Sequence, residues 1–111
     1  MPIKVVKVRA WESRYHPEIR YIGRSWGDWP ESIFHNPFHV GKDGTREEVL
    51  LKFIDYWYAP KQKLLRSLAL DLIGENDILG CWCKPLECHG DIIAAYVTWK
   101  LQERQLCLLI P

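Results

Sequence analysis

The alternation of apolar and polar positions predicts strands in the first quarter of the chain. IKVVKVR (3–9) alternates and is rich in β-branched residues, which indicates a strand. RYIG (20–23) predicts a second, short strand that ends in a glycine. The following segment, 24–44, holds prolines, glycines and bulky aromatic residues without a helical period. We expect it to form an ordered, functional loop, because a long irregular segment in a small domain is unusual and its aromatic content argues against disorder.

Helical periodicity begins after this loop. Thr45 followed three residues later by Glu48 fits a capping box, the arrangement that starts many helices. The positions expected on the core side of this helix are Val49, Phe53, Tyr56 and Trp57. Pro60 ends the helix or begins the next one, which we expect over 61–74 with a stop at Gly74. Its inward positions are predicted to be Leu64, Leu65, Leu68 and Leu72.

The last third of the chain predicts a buried strand, a turn and another helix. DILGCWC (77–83) is typical of a buried strand, KPLE (84–87) of a turn, and CHGDIIAAYVTWKLQER (88–104) of a helix. The inward positions predicted for this helix are Ile92, Ala95, Tyr96 and Trp99. LCLLI (106–110) predicts a final short strand in which Cys107 is a core residue.

The order of these elements predicts one α/β domain over residues 1–111. We expect a short, mostly parallel sheet of three or four strands, packed by about three helices. The strand–turn–helix unit at 77–104 resembles one step of a Rossmann-like sheet. Ligands of such sheets bind beyond the carboxyl ends of the strands, where helix N-termini point outward, so any site is expected there.

Composition narrows the classes of function. Apolar residues make up 48% and charged residues 26% of the chain, which is typical of a soluble globular protein. The net charge is +1 and the basic residues are dispersed, so neither an anionic membrane nor nucleic acid is favoured as a partner. With neither a membrane span nor the apolar block of a signal peptide, a cytoplasmic location is expected. In that compartment the four cysteines should be thiols or metal ligands.

The segment CWCKPLECHGD (81–91) concentrates the candidate chemistry. Residues i and i+2 of a strand face the same side, so Cys81 and Cys83 should share a face. The turn then returns Cys88 and His89 to the same end of the sheet. Together these four residues form C-x-C-x4-C-H, a donor set suitable for zinc, although its spacing departs from common zinc motifs.

Two other interpretations of this segment stay open. The first is a ligand-binding or catalytic site, in which the helix dipole activates Cys88 and His89 acts as its base. Gly90 would then allow a ligand to approach closely, and Asp91 would complete the first turn. Cys81 and Cys83 would contact the ligand. The second is simple packing, since cysteine is among the most buried residue types.

Four motifs in order carry a resemblance to a known family. They are YIGR (21–24), NPF (36–38), GKDGTREEV (41–49) and CWCKPLECHGD (81–91). Together, over Tyr21 to Ala95, they resemble the family called domain of unknown function 4326, seen in bacteria and their phages. The family pattern has glycine where His35 stands, and the segment 25–34 is longer than typical. Both departures fall in the expected pocket loop.

The last motif is also similar to the C-x-E…C-H-R signature of another α/β family, domain of unknown function 488. In that family, too, cysteines end a strand and C-H opens a helix. The similarity implies where a site lies and indicates no reaction.

The loop residues expected to border this site are Arg24, His35, Asn36 and His39. Arg24 could bind a phosphate group bidentately or remain a solvated surface residue. Asn36 precedes a proline, so it is as typical of a turn as of a ligand contact. Trp26 and Trp29 could stack on a base or cover the sheet.

Two hypotheses about function follow. The first is that the chain is a small protein that binds a nucleotide-like or phosphorylated molecule at the corner between CWC and CHGD. If it is an enzyme, it would also process that molecule. The second is a zinc-stabilised, non-enzymatic module that contacts a protein partner, in the host cytoplasm if a phage encodes it. Nucleic-acid binding ranks third, because there is neither a basic stripe nor a known motif. The chain has no Gly-rich phosphate-binding fingerprint and no Ser-His-Asp set, so the sequence leaves enzymatic activity open.

Overall fold

The computed structural model describes residues 3–11, 13, 15–82 and 86–109. Within these ranges three strands form one parallel sheet in the order β1–β3–β2. The strands are β1 (Lys4–Lys7), β2 (Ile19–Tyr21) and β3 (Ile78–Cys81). The helices are α1 (Arg46–Tyr58), α2 (Lys63–Leu72) and α3 (His89–Leu109), with a short 3-10 turn at Pro60–Gln62. The predicted small α/β architecture with a parallel sheet is confirmed.

The two faces of the sheet are covered differently. On one face Val5, Leu79 and Cys81 join the main core under the helices. On the other face Tyr21 packs with Trp29 of the long loop, and the rings of these two residues stack with 5.0 Å between their centroids. Alternation of side chains along each strand produces this division. All three strands are parallel, so their carboxyl ends meet at one edge, which we call the carboxyl edge of the sheet.

The start of α1 agrees with the capping box in the sequence. The Glu48 backbone N–H donates to the Thr45 hydroxyl at 3.2 Å, and the Thr45 N–H donates to the Glu48 carboxylate at 3.0 Å. Val49, Phe53 and Trp57 are buried as predicted, whereas Tyr56 is half-buried against them. The cap fixes the start of α1 immediately before Arg46.

The inward face of α2 differs from the prediction. Leu64 is 72% exposed and Leu72 is 43% exposed, whereas Ala69 is fully buried and Leu65 and Leu68 are half-buried against the core. The two exposed leucines lie nearest the ends of α2, and the two half-buried leucines lie between them along the chain. Packing therefore covers only the middle of the leucine stripe.

The inward face of α3 also differs from the prediction. Tyr96 is buried as expected, but Ala95 is exposed and Trp99 is 52% exposed. The buried positions are instead Ile93, Ala94, Tyr96 and Val97. The run IIAAYV is apolar on every side of the helix, so periodicity could not select its buried face.

The predicted strand at 106–110 is wrong, because α3 continues to Leu109. Cys107 is exposed on this last part of the helix and is not a core residue. No glycine or proline interrupts the chain after Gly90 until Pro111, and a short apolar run does not by itself separate strand from helix. In the part of the chain that the structure describes, no helix has both the length and the apolar character to span a membrane.

Candidate functional site

A cavity of about 250 Å³ lies at the carboxyl edge of the sheet. It is bordered by the segment after β2, the long loop, the first turn of α1, the end of β3 and the start of α3. Gly23 lies two residues after β2 and borders the cavity, and a Cβ atom there would come within 2.5 Å of the Tyr21 hydroxyl. The cavity is therefore where the parallel fold predicts a ligand site.

Two cysteines and a histidine lie together in the cavity wall. Cys81 is the last residue of β3, Cys88 precedes α3, and His89 is the first residue of α3. All three are buried, and one ligand atom from each lies within 4.8 Å of the others. This cluster, the Cys–Cys–His cluster, could hold a metal ion. Cys83, the other predicted ligand, lies outside the described residues.

His89 is held in its neutral form. Its Nε2 lies 2.7 Å from the carbonyl oxygen of Ile22, so this nitrogen carries the proton and donates the hydrogen bond. Burial lowers the pKa of His89 to about 4, although the backbone carbonyls of Ile22 and Phe34 favour the protonated ring. The nearby Arg24 charge lowers the pKa further. A neutral ring with Nε2 protonated has its lone pair on Nδ1.

Gly90 and Asp91 have roles in the helix rather than in the cavity wall. A Cβ atom on Gly90 would lie 2.6 Å from Ile22 Cδ1 and 3.0 Å from Val5 Cγ1, so glycine lets α3 approach the sheet. The Asp91 carboxylate accepts a hydrogen bond from the Cys88 backbone N–H at 3.2 Å. Neither residue borders the cavity described above, although both were predicted to bind the ligand.

Two arginines border the cavity from opposite segments. Arg24 follows β2 as predicted, and its guanidinium group contacts the His39 ring, with Nη1 2.8 Å from Nε2. Arg46 is the first residue of α1, and its guanidinium lies 3.4 Å from the Glu87 carbonyl oxygen. Both arginines are half-buried. Arg46 was not predicted as a site residue, because no local motif marks it and only the fold brings it beside the cavity.

The loop places Asn36 and His35 differently. Asn36 is buried and borders the cavity, and its side-chain oxygen accepts a hydrogen bond from the Phe38 backbone N–H at 2.9 Å. Asn36 therefore stabilises a turn and also borders the cavity. His35 does not border the cavity and lies with Nδ1 2.7 Å from the Ser32 carbonyl oxygen.

The tryptophans divide between packing and the cavity. Trp29 is buried against Tyr21, and its indole N–H donates to the Arg9 carbonyl at 2.7 Å, so it covers the sheet. Trp26 lies outside the cavity wall, with its ring 6.4 Å from that of Trp82. Trp82 itself borders the cavity, as does Phe38. Neither Phe38 nor Trp82 was predicted as a site residue, and in a regular strand Trp82 would face away from Cys81.

The chain is similar to known proteins over most of its length. The model of the family described as domain of unknown function (DUF4326) matches residues 5–99. The chain is 32% identical over 90 residues to the uncharacterized 12.4 kDa protein in the nrdA-td intergenic region of Enterobacteria phage T4. That alignment covers 71% of this chain and 77% of the phage protein. No solved structure matches the chain.

Proposed function

We propose that this chain, which belongs to the family of domain of unknown function 4326, binds a small phosphorylated or nucleotide-like molecule. The proposed site is the cavity at the carboxyl edge of the sheet. The main support is that Arg24 and Arg46, from separate segments, border this one cavity. Two half-buried guanidinium groups beside one small cavity suit an anionic ligand.

The electrostatics of the cavity wall favour an anion. Among the described residues that border the cavity, Glu87 carries the one carboxylate, whereas Arg24 and Arg46 carry two positive charges. His89 adds no charge near neutral pH, because burial lowers its pKa to about 4. The first turns of α1 and α3 both lie at the cavity, and helix N-termini favour negative charge.

The size and aromatic content of the cavity suggest the class of ligand. About 250 Å³ is slightly below the range of roughly 300–1,000 Å³ that is typical of small-molecule sites. Phe38 and Trp82 supply flat apolar surfaces on which a base can stack. A mononucleotide or a sugar phosphate therefore suits the cavity better than a dinucleotide does. The candidate catalytic pair, Cys88 and His89, borders the same space, and its catalytic role stays a prediction.

The proposal can be tested by titrating ¹⁵N-labelled protein with adenosine monophosphate and with inorganic phosphate. We expect saturable shifts of the backbone amide signals of Gly23, Arg24 and His89. Arg46→Gln should weaken binding by at least about tenfold, the usual effect of losing a hydrogen bond to a charged group. Arg104→Gln is the matched control, since Arg104 is exposed on the distal part of α3.

Two results would overturn the proposal. One is that neither adenosine monophosphate nor inorganic phosphate produces saturable shifts. The other is equal weakening by Arg46→Gln and Arg104→Gln, which would indicate general attraction of anions to the protein surface.

A metal-stabilised module is the second candidate function, and the Cys–Cys–His cluster favours it. Structural zinc contributes folding free energy directly, so a chelator should then lower the melting temperature sharply. Elemental analysis of protein purified without chelator should find about one zinc per chain, as expected of a single site. An unchanged melting temperature with chelator and no bound zinc would rule this candidate out.

A further inference from the structure

The donor atoms of the Cys–Cys–His cluster are close to the spacing of a zinc site. They lie within 4.8 Å of one another. In a tetrahedral zinc site with these ligands the donor atoms are about 3.6 to 3.8 Å apart. A contraction of at most about 1.2 Å, which side-chain rotation can supply, would close the cluster around an ion.

The hydrogen bond of His89 sets a tautomer that suits a metal ligand. The ring donates its Nε2 proton to the Ile22 carbonyl oxygen at 2.7 Å, and the neutral ring then carries its lone pair on Nδ1. Histidines that bind metals usually donate their other ring N–H to a carbonyl or carboxylate, which fixes the tautomer and the ring orientation. The ring also packs edge-on against Phe53, with 5.2 Å between centroids. Its position is therefore determined before any metal arrives.

The cluster and the arginines share one space. Cys81, Cys88 and His89 border the same cavity as Arg24 and Arg46. Structural zinc sites are closed by four protein ligands, whereas sites with three protein ligands keep a position for water or a ligand. An ion held by these three residues would have its remaining position on the cavity side. The two guanidinium groups border that side.

From this arrangement we infer that Cys81, Cys88 and His89 hold a zinc ion with one coordination position directed into the cavity. A phosphate oxygen of the ligand, anchored by Arg24 and Arg46, takes that position. This inference rests on the proposed function, since it names the ligand group that the metal binds. It combines metal and anion binding in one centre, whereas the two candidate functions above treat them separately.

Cobalt substitution tests the open coordination position, because Co²⁺ replaces zinc in such sites and its visible absorption reports its ligands. The full chain is loaded with Co²⁺ and titrated with inorganic phosphate, while calorimetry follows phosphate binding in parallel. We expect the absorption bands to shift with the same midpoint as the calorimetric titration. Arg46→Gln should move both midpoints at least about tenfold, and Arg104→Gln should move neither.

Variants of the cysteines separate an open site from a closed one. Cys83→Ser should bind cobalt with an unchanged spectrum, whereas Cys88→Ser should lose the absorption of one of the two thiolates. Loss of a thiolate band in Cys83→Ser, with no response to phosphate, would identify a closed four-ligand site and overturn the inference. Circular dichroism of each variant ensures that the comparison is made on folded protein.

The remaining outcomes distinguish this inference from the proposed function. Calorimetric phosphate binding without any spectral shift would overturn the open coordination position and leave the proposed function standing. Failure to bind either cobalt or zinc would overturn the metal centre alone. Absence of binding of both inorganic phosphate and adenosine monophosphate, with and without metal, would overturn the proposed function and the inference together.

Discussion

The imidazole of His89 donates a hydrogen bond to the backbone carbonyl of Ile22 across 2.7 Å. This bond joins the first residue of α3 to the residue that follows β2, 67 positions earlier in the chain. Both residues are buried, with Ile22 fully covered. The bond therefore ties the start of α3 to the carboxyl edge of the sheet and sets the histidine tautomer at the cavity.

The first prediction concerns the pH dependence of stability in metal-free protein. Burial lowers the pKa of His89 to about 4, below the ordinary value of 6.5. Between these values the unfolded chain binds a proton that the folded chain excludes. The free energy of unfolding should therefore fall as the pH decreases from 6.5 to 4, with His89 contributing up to about 3 kcal/mol. Urea unfolding in the presence of chelator measures this dependence.

A pair of variants isolates the contribution of His89. His89→Gln retains an N–H donor for Ile22 but cannot titrate, so its unfolding free energy should depend less on pH over this interval. Ser67→Ala, an exposed substitution in α2 that removes no titratable group, should retain the full dependence of the natural protein. If both variants show the same dependence as the natural protein, His89 is not the titrating group.

The second prediction concerns the close approach of α3 to the sheet at Gly90. In Gly90→Ala the new methyl would lie 2.6 Å from Ile22 Cδ1, and Ile22 is too tightly packed to move freely. We expect a loss of about 1–2 kcal/mol in unfolding free energy, because overpacking outweighs the better helix propensity of alanine. Chemical denaturation measures the loss.

Gly74→Ala is the matched control for this substitution. Its nearest atom to an added Cβ is Asp77 Oδ1 at 3.5 Å, which is ordinary contact. A change within about 0.5 kcal/mol is expected there. Equal destabilisation by the two alanines would show that the Gly90 effect does not come from contact with the sheet.

The third prediction concerns the helix cap beside Arg46. Thr45→Ala removes the hydroxyl that accepts from the Glu48 N–H at 3.2 Å. The loss of an N-cap of this kind costs about 1 kcal/mol in unfolding free energy, which thermal or urea unfolding can detect. Ser67→Ala, at an exposed position within α2, should cost nothing measurable. A Thr45→Ala protein as stable as the Ser67→Ala protein would contradict the capping role.

Much of the fold followed from local signals in the sequence. Alternation at 3–9, the Thr45–Glu48 cap and the buried run before Cys81 each predicted an element that the structure contains. These signals depend on residues within one segment. The errors arose where the decisive contacts come from other segments. The apolar run at 106–110 is compatible with a strand or with a continued helix, and no local sequence signal selects between them.

The candidate site shows the same division. Cys81, Cys88 and His89 stand out because reactive residue types occur close together in the chain. Arg46 and Trp82 carry no such signal, and only the arrangement of the segments brings them to the cavity. Gly90 was predicted to let a ligand approach, but a Cβ atom there would meet Ile22 and Val5, so its glycine serves the packing of α3 on the sheet.

The fourth prediction concerns thiol reactivity at the end of α3. Cys107 is exposed, whereas Cys81 and Cys88 are buried. A thiol reagent should therefore modify Cys107 quickly in folded protein, and the fast reaction should decrease by about one equivalent in Cys107→Ser, since access limits the rate. Cys88→Ser is the control, because replacing a buried thiol should leave the fast reaction unchanged as long as circular dichroism shows a folded chain. An unchanged fast reaction in Cys107→Ser would mean that Cys107 is covered in solution and that the end of α3 packs against another surface.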